Sequence, residues 1–527
     1  MQYDGTARLS TPSARQTRPE FSGSIGSRPA KALAEWAIGG LMMLAICLGS
    51  TLSAAAPVPT LKPTLQIVDL AVGEAQEVTL PDGAKVVVKL LDLQEMRDTI
   101  NRAVRLARVK ILVDGHEVTL ESGNYRLPVK IGRVQIDCSI TKGYVSNSNR
   151  DMWNLEKDAR LRLWPADAPL LQPGTFVYPL KQRWFASGTQ MANEPVHVND
   201  GESPANKSIY YHNDLDFGGC EGLVDVIAAT AATVISSGAK ILAGYNDTPV
   251  RPRYDVVYLL DDRGWYYRYS HLFTIDEKIV PGARVTMGQK IGVLGKEGGS
   301  GGWAHLHFGI VSPQPSGKWG TQEAYAFVWE AYIKEYRPKI IAVARPHYVA
   351  WTGEPVRLDG SRSWSPAGKI AQFDWTFTDG TTGRGERLER RYAKPGTYSE
   401  ILKVTGPNGA VGYDFAVVQV LDPSANGQLP PSIQAAYAPS LAIKPGEPVT
   451  FKVRTFRTTH GEEVWNFGDD TPAVTVKSDG NVKPLNKDGF AITTHQFAKP
   501  GHYVVRVERR NERDEVAIAH LGVQVGP

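Results

Sequence analysis

Three observations predict a mainly β chain. Apolar residues recur in short runs of four or five, often alternating with polar ones, which is the period of a strand with one buried face. Turn-forming groups such as Pro81-Asp82-Gly83, Asp114-Gly115 and Asp261-Asp262-Arg263-Gly264 separate those runs. Two segments near the C-terminus repeat each other, each the length of a small sandwich. The expected architecture is a β-rich domain over 62–165, a strand-dominated domain over 166–335, and Ig-like β-sandwiches over 338–423 and 430–527.

Taken in chain order, residues 1–36 are rich in Ser, Arg, Pro and Gly and are expected to be disordered. Residues 37–56 are mostly apolar, with Arg28 and Lys31 upstream and Ser53-Ala54-Ala55 at the end. That is the pattern of a secretory signal cleaved after Ala55, or of an uncleaved membrane anchor with its basic residues inside. Ile46 before Cys47 disfavours lipidation, where a small residue is required. With either outcome the rest of the chain is exported, to the periplasm, the cell envelope or the medium. Membrane contact is expected only if the segment stays uncleaved.

At 527 residues the chain exceeds what one core can fill. It has 12 Trp and 21 Tyr, enough aromatic surface for several cores. The net charge of +4 is small and no basic run stands out, so nucleic acid is excluded as a partner. The three cysteines, Cys47, Cys138 and Cys220, form no C-x-x-C pair, which excludes a thiolate zinc site. Pairing of Cys138 with Cys220 stays open.

In the first domain, Glu77–Leu80, Val86–Leu90 and Lys110–Val113 read as strands, and Glu95–Leu106 reads as a short helix. In the second, 256–260 and 265–269 read as a hairpin. The C-terminal repeat pairs Asp374-Trp375-Thr376-Phe377-Thr378-Asp379-Gly380 with Val464-Trp465-Asn466-Phe467-Gly468-Asp469-Asp470. It also pairs Lys394-Pro395-Gly396-Thr397-Tyr398 with Lys499-Pro500-Gly501-His502-Tyr503. Trp-x-Phe places two rings on one strand face, and Pro-Gly-x-Tyr starts the next strand with a ring that packs beneath. These copies resemble PKD repeats, which implies spacing or adhesion, with a carbohydrate or a protein as ligand. The cluster Arg384, Arg387, Arg390 and Arg391 is interleaved with Glu386 and Glu389 and reads as a solvated strand face.

The chemistry concentrates in three segments. In His305-Leu306-His307 the alternation of a strand puts both imidazoles on one face and Leu306 in the core. His212 and Asp216 lie four residues apart, ~13 Å in a straight strand. They converge only if the chain bends at Asn213-Asp214, so a strand, a turn and a strand are expected there. Tyr269-Ser270-His271-Leu272 closes the hairpin and supplies a fifth group. Imidazole and carboxylate are zinc ligands, and three of them leave a fourth position open.

His-x-x-x-Asp, then Tyr-x-His-Leu, then His-Leu-His-Phe, with Gly288-Gln289-Lys290-Ile291-Gly292 between them, resembles the lysostaphin-type zinc metallopeptidases, the murein endopeptidase family, from about Tyr178 to Val311. The resemblance implies one Zn2+ held by His212, Asp216 and His307, with His271 and His305 as catalytic histidines. It implies an antiparallel-sheet zinc peptidase domain carrying the metal in a groove, with peptide crosslinks of peptidoglycan, stem peptides or crossbridges, as substrate. Asp214 stands where that family often has Gly, and Trp303-Ala304 replaces a common Gly-Pro. The expected function is that of an exported zinc endopeptidase, with His305 or His271 moving the proton and Tyr269 or Tyr211 helping at the oxyanion. The alternatives are a zinc endopeptidase acting on secreted or glycine-rich proteins, and a non-catalytic cell-wall binding or adhesion protein. The other histidines, among them His347 and His520, read as structural or solvent-exposed.

Overall fold

The computed structural model describes residues 59–146, 148, 151–197, 209–479 and 489–527. The expectations for 1–36 and 37–56 lie outside these residues. Among the described residues no helix is long and apolar enough to cross a membrane.

The first domain pairs two four-stranded antiparallel sheets. One runs Gln66–Leu70, Ala159–Pro165, Val134–Thr141, Val129–Ile131; the other runs Ala75–Thr79, Lys85–Arg97, Val104–Val113, His116–Glu121. Val68, Val88, Ile111, Ile136 and Leu161, drawn from both sheets, form one apolar core. Asp114 and Gly115 both take positive φ, as the tightest hairpin turns require.

The helix expected over Glu95–Leu106 is not formed. Glu95 pairs with Ala107 and Met96 with Leu106 in a long hairpin. Asp98 closes its turn by accepting from the backbone N–H groups of Ile100 and Asn101 and pairing with Arg105. The helix-favouring Glu-Met-Arg run yields to tertiary pairing, because each cross-strand contact extends an already buried sheet.

The second domain is an eight-stranded antiparallel sheet. Its main path is Leu215–Gly218, His305–Pro313, Tyr266–Ser270, Val257–Asp261, Ala232–Ser237, Lys240–Ile241. A three-stranded sheet, Asp225–Ile227, Lys290–Leu294 and Leu272–Ile275, flanks it. Leu306, Phe308 and Ile310 alternate into a core shared with Phe217, Leu259 and Tyr267, on which the helix Tyr325–Tyr336 packs through Phe327 and Trp329. That alternation leaves His305 and His307 on the opposite face.

The two C-terminal sandwiches keep separate cores, around Trp375 and Trp465, both fully buried. Tyr398 lies against Tyr392 and donates its hydroxyl to Lys394 O; Tyr503 lies against Phe497 and donates to Lys499 O, so the Pro-Gly-x-Tyr device recurs in both copies. Parallel pairing of Gly396–Thr397 with Val516–Ala517 joins one face of each into a nine-stranded sheet. Arg384, Arg387 and Arg391 are exposed, as a solvated face requires, but Arg390 is largely covered, lying over the Phe377 ring beside the buried Glu400.

Cys138 and Cys220 are free and buried in the cores of different domains, so the disulfide left open by the sequence is not formed.

Candidate metal centre

Sheet register creates the site. Pairing of Leu215–Gly218 with His305–Pro313 sets Asp216 opposite His307 and Gly218 opposite His305. Opposed residues share a face with Cβ atoms ~4.5–5.5 Å apart, so Asp216 and His307 meet without any special loop. His212 ends the short strand Ile209–Tyr211, where its backbone N–H donates to Glu194 O at 3.0 Å. The bend at Asn213-Asp214 then returns the chain into Leu215–Gly218 and brings His212 Nε2 to 3.1 Å from Asp216 Oδ1.

His307 Nδ1 completes a triangle, 2.8 Å from Asp216 Oδ1 and 3.0 Å from His212 Nε2. All three residues are buried. Donor atoms in a tetrahedral shell with bonds of ~2.0–2.2 Å stand ~3.3–3.6 Å apart, so a small cation fits after a few tenths of an ångström of relaxation. A single proton can bridge only one edge of this triangle, whereas a cation satisfies all three donors. His271, His305 and His307 form an overlapping second trio, with nitrogens within 4.8 Å but no carboxylate.

Asp214 backs the cluster. Its Oδ2 lies 2.8 Å from His307 Nε2, and Arg268 Nη1 stands 3.7 Å from the same oxygen. A Cβ on Gly309 would overlap the Asp214 carboxylate, so the missing side chain makes this contact possible. A carboxylate at Nε2 keeps the ring proton there and turns the Nδ1 lone pair toward Asp216. Burial alone would raise both carboxyls; His212 and His305 hold Asp216 well below the usual carboxylate range, and His307 and Arg268 lower Asp214. Burial opposes charge on His212 as well, but Asp216 and Asp214 outweigh it and raise its pKa.

The two remaining histidines are held in one tautomer each. His305 Nδ1 donates to Trp303 O at 3.0 Å, leaving Nε2 bare and 3.4 Å from Asp216 Oδ1. Burial pulls its pKa down to about 3, so the ring is neutral. His271 takes φ 66°, a left-handed conformation that turns its side chain out of the strand alternation and toward the cluster. Its backbone N–H donates to Asp255 Oδ2 and its Nδ1 to Glu297 O at 2.6 Å, and burial lowers its pKa too. Arg253 Nη2 clamps Asp255 at 2.6 Å. The His271 and His305 rings are 4.6 Å apart between centroids.

The structure therefore brings His212, Asp216, His271, His305 and His307 together. The two tyrosines expected at the oxyanion are elsewhere. Tyr269 pairs with Phe308 on the core face and its hydroxyl accepts from Ala229 N; Tyr211 donates to Val104 O. Strand alternation explains the first: a residue adjacent to Ser270, which opposes His307, faces away from it. The same alternation, followed from Ser270 to Arg268, could have found Arg268 on the catalytic face.

Both C-terminal sandwiches wall the site. A cleft of about 490 Å³ is lined on one side by the histidine cluster and on the other by Ser399 and Gln419 of the first sandwich and Gln434 and His520 of the second. His347 also lines it and is half-buried, whereas His520 is buried, so neither is fully solvent-exposed. No sequence signal announces residues that approach the cleft from separate domains.

Residues 210–318 match Peptidase family M23, and residues 337–420 and 433–520 each match the PKD domain. Among solved structures, the chain is similar to the D00-D0 domain of intimin (13% identity over 36% of this chain and 100% of that one, TM-score 0.14). It is similar also to Helicobacter pylori Csd3 (13% identity, 46% and 82%, TM-score 0.20) and to fibronectin(III)-like modules of Clostridium thermocellum CbhA (10% identity, 35% and 93%, TM-score 0.14). At such TM-scores these likenesses carry no argument. The family matches do: this chain holds a Peptidase family M23 domain followed by two PKD domains, the arrangement of a lysostaphin-type peptidase with C-terminal PKD repeats.

Proposed function

We propose that the protein is an exported zinc-dependent endopeptidase that hydrolyses peptide bonds in peptidoglycan crosslinks. The observation that carries this is the triangle of His212 Nε2, Asp216 Oδ1 and His307 Nδ1, with edges of 2.8–3.1 Å, beside the His271 and His305 rings, whose centroids are 4.6 Å apart. His212, Asp216 and His307 would hold a Zn2+, and this donor set of two imidazoles and one carboxylate suits a catalytic ion with an open position. When bound, zinc lowers the pKa of water toward ~7 and polarises a carbonyl as a Lewis acid. His305, whose Nδ1–H is committed to Trp303 O, presents Nε2 to accept the proton of the attacking water. His305 can then return that proton to the leaving amine, and His271, fixed through Glu297 O and Asp255, stands beside it. Asp214 keeps His307 in the ligating tautomer. Peptidoglycan as substrate is supported by the M23 family match. Export is supported by the apolar segment at 37–56.

The test is digestion of purified peptidoglycan with product mapping by mass spectrometry. Release of crosslink-derived peptides should stop with chelator and return with zinc. His307→Ala should lose zinc, while His305→Ala should keep zinc and lose turnover. Full activity in His305→Ala would refute its role. Cleavage of a glycine-rich secreted protein, with peptidoglycan left intact, would move the substrate to the alternative class.

A further inference from the structure

The loop before the catalytic strand is held by the second PKD sandwich. Gln434, on the strand Ser432–Ala438, is 2% exposed. Its Oε1 accepts from Ala304 N at 2.7 Å and its Nε2 donates to Ala304 O at 2.7 Å. A backbone donor and a backbone acceptor on one residue fix which way the amide points. Two neighbours on the next strand, Pro448–Phe456, hold the residues just before: Arg454 Nη1 donates to Gly302 O at 3.3 Å, and Phe456 stacks on Trp303 with centroids 4.4 Å apart and planes at 13°.

Those contacts converge on one carbonyl. Trp303 O accepts the Nδ1–H of His305 and so determines that His305 Nε2 is the bare nitrogen. Trp303 O lies in the peptide that carries Ala304 N–H, the group that Gln434 Oε1 grips. Rotation of that peptide would withdraw the acceptor from Nδ1 and release the ring to its other tautomer. The departure at 303–304 also finds a purpose. A proline at 304 would have no N–H to offer Gln434, and a glycine at 303 would have no ring to stack on Phe456.

We infer that Gln434 of the second PKD sandwich is a positioning residue for His305: by clasping Ala304 it orients the Trp303 carbonyl that sets the His305 tautomer. The sandwich is then part of the catalytic unit and not a spacer. This rests on the role proposed for His305, but its first readout does not. Gln434 touches none of His212, Asp216 and His307, so zinc binding should be spared.

The experiment uses the full chain and Gln434→Met, which keeps the length of the side chain and deletes both hydrogen bonds to Ala304, together with the one from Nε2 to Thr189 Oγ1. In the zinc-free protein with 15N-labelled histidine, long-range 15N–1H spectra report the His305 tautomer, assigned against His305→Gln. The parent should show the Nδ1–H form dominant, and Gln434→Met should show it fall to about half or less. Zinc titration should give one ion per chain with affinity within about threefold of the parent. With peptidoglycan, kcat should fall by about 10–100-fold with KM little changed, the size of losing an aligned acid–base group. An unchanged tautomer, or loss of zinc together with kcat, overturns the inference. If Gln434→Met does not fold, Phe456→Leu, which removes the Trp303 stack, is read in the same way and should move the tautomer in the same direction. Absence of turnover in the parent would count against the peptidase reading alone, since the tautomer and zinc readouts still decide this one.

Discussion

Asp214 offers the sharpest measure of how the centre is held. Its carboxylate meets His307 Nε2 at 2.8 Å, and the guanidinium of Arg268 waits 3.3 Å from the same nitrogen. Remove the carboxylate and the Nε2–H faces only a cation, which can donate but not accept. The ring then gains by moving its proton to Nδ1, the atom that belongs in the donor triangle. Loss of a carboxylate behind a ligating histidine weakens metal binding by roughly 10–100-fold, or about 1.4–2.8 kcal/mol. Charge-assisted hydrogen bonds are roughly twice as strong as neutral ones, so Asp214→Asn, whose amide oxygen still accepts, belongs near the tenfold end. Asp214→Gly, which removes the acceptor and opens space against Gly309, belongs near the hundredfold end. The assay is competition for zinc against a chromogenic chelator, with far-UV circular dichroism confirming that the sheet persists. Zinc affinity in Asp214→Gly within twofold of the parent would refute the reasoning, because His307 would then be oriented by something other than this contact.

Further expectations concern the sandwiches and the core. Burial, with Arg506 adding to it, pulls the His520 pKa down to about 3, below its unfolded value of 6.5. The unfolded chain therefore binds more protons between those values, so this group's contribution is intact above pH ~6.5 and is lost as pH falls toward 3. The stability of the parent relative to His520→Gln should decrease by roughly 3 kcal/mol between pH 7 and pH 4 in denaturant titrations, and a pH-independent difference would reject it. Glu463 and Arg509 form a fully buried ion pair at 2.9 Å, with Thr455 and Ser478 also bonded to Glu463. Glu463→Ala should cost about 3–5 kcal/mol by chemical denaturation, because it strands a buried guanidinium. Leu306, fully buried between the two histidines, should cost about 2–5 kcal/mol as Leu306→Ala, and zinc affinity should fall with it if strand rigidity supports the site.

What could be read from the chain and what could not divide along a physical line. Alternation is local, so His305-Leu306-His307 announced two imidazoles on one face, and the bend at Asn213-Asp214 could be inferred from the distance that His212 and Asp216 had to close. The recurring Trp-x-Phe and Pro-Gly-x-Tyr signatures are likewise local, and both copies build the same ring-on-ring packing. Misreadings arose where tertiary pairing overrode local preference. Glu95–Leu106 has helix-forming residues but gains more by lengthening a hairpin. Tyr269 lies one residue from the right face, and one residue is a full reversal in a strand. Register itself was out of reach: that Asp216 opposes His307 depends on how two strands ninety residues apart align, and neither strand encodes it alone. The walls of the cleft were further still from view. Gln434 reaches Ala304 across 130 residues because the sandwich, whose signatures imply spacing or adhesion, lies against the loop that feeds the catalytic strand. A spacer would leave the same cleft open to water on that side. Here Ser399, Gln419, Gln434 and His520 line it instead, so a peptide lying in this cleft would meet side chains of both sandwiches as well as the histidines.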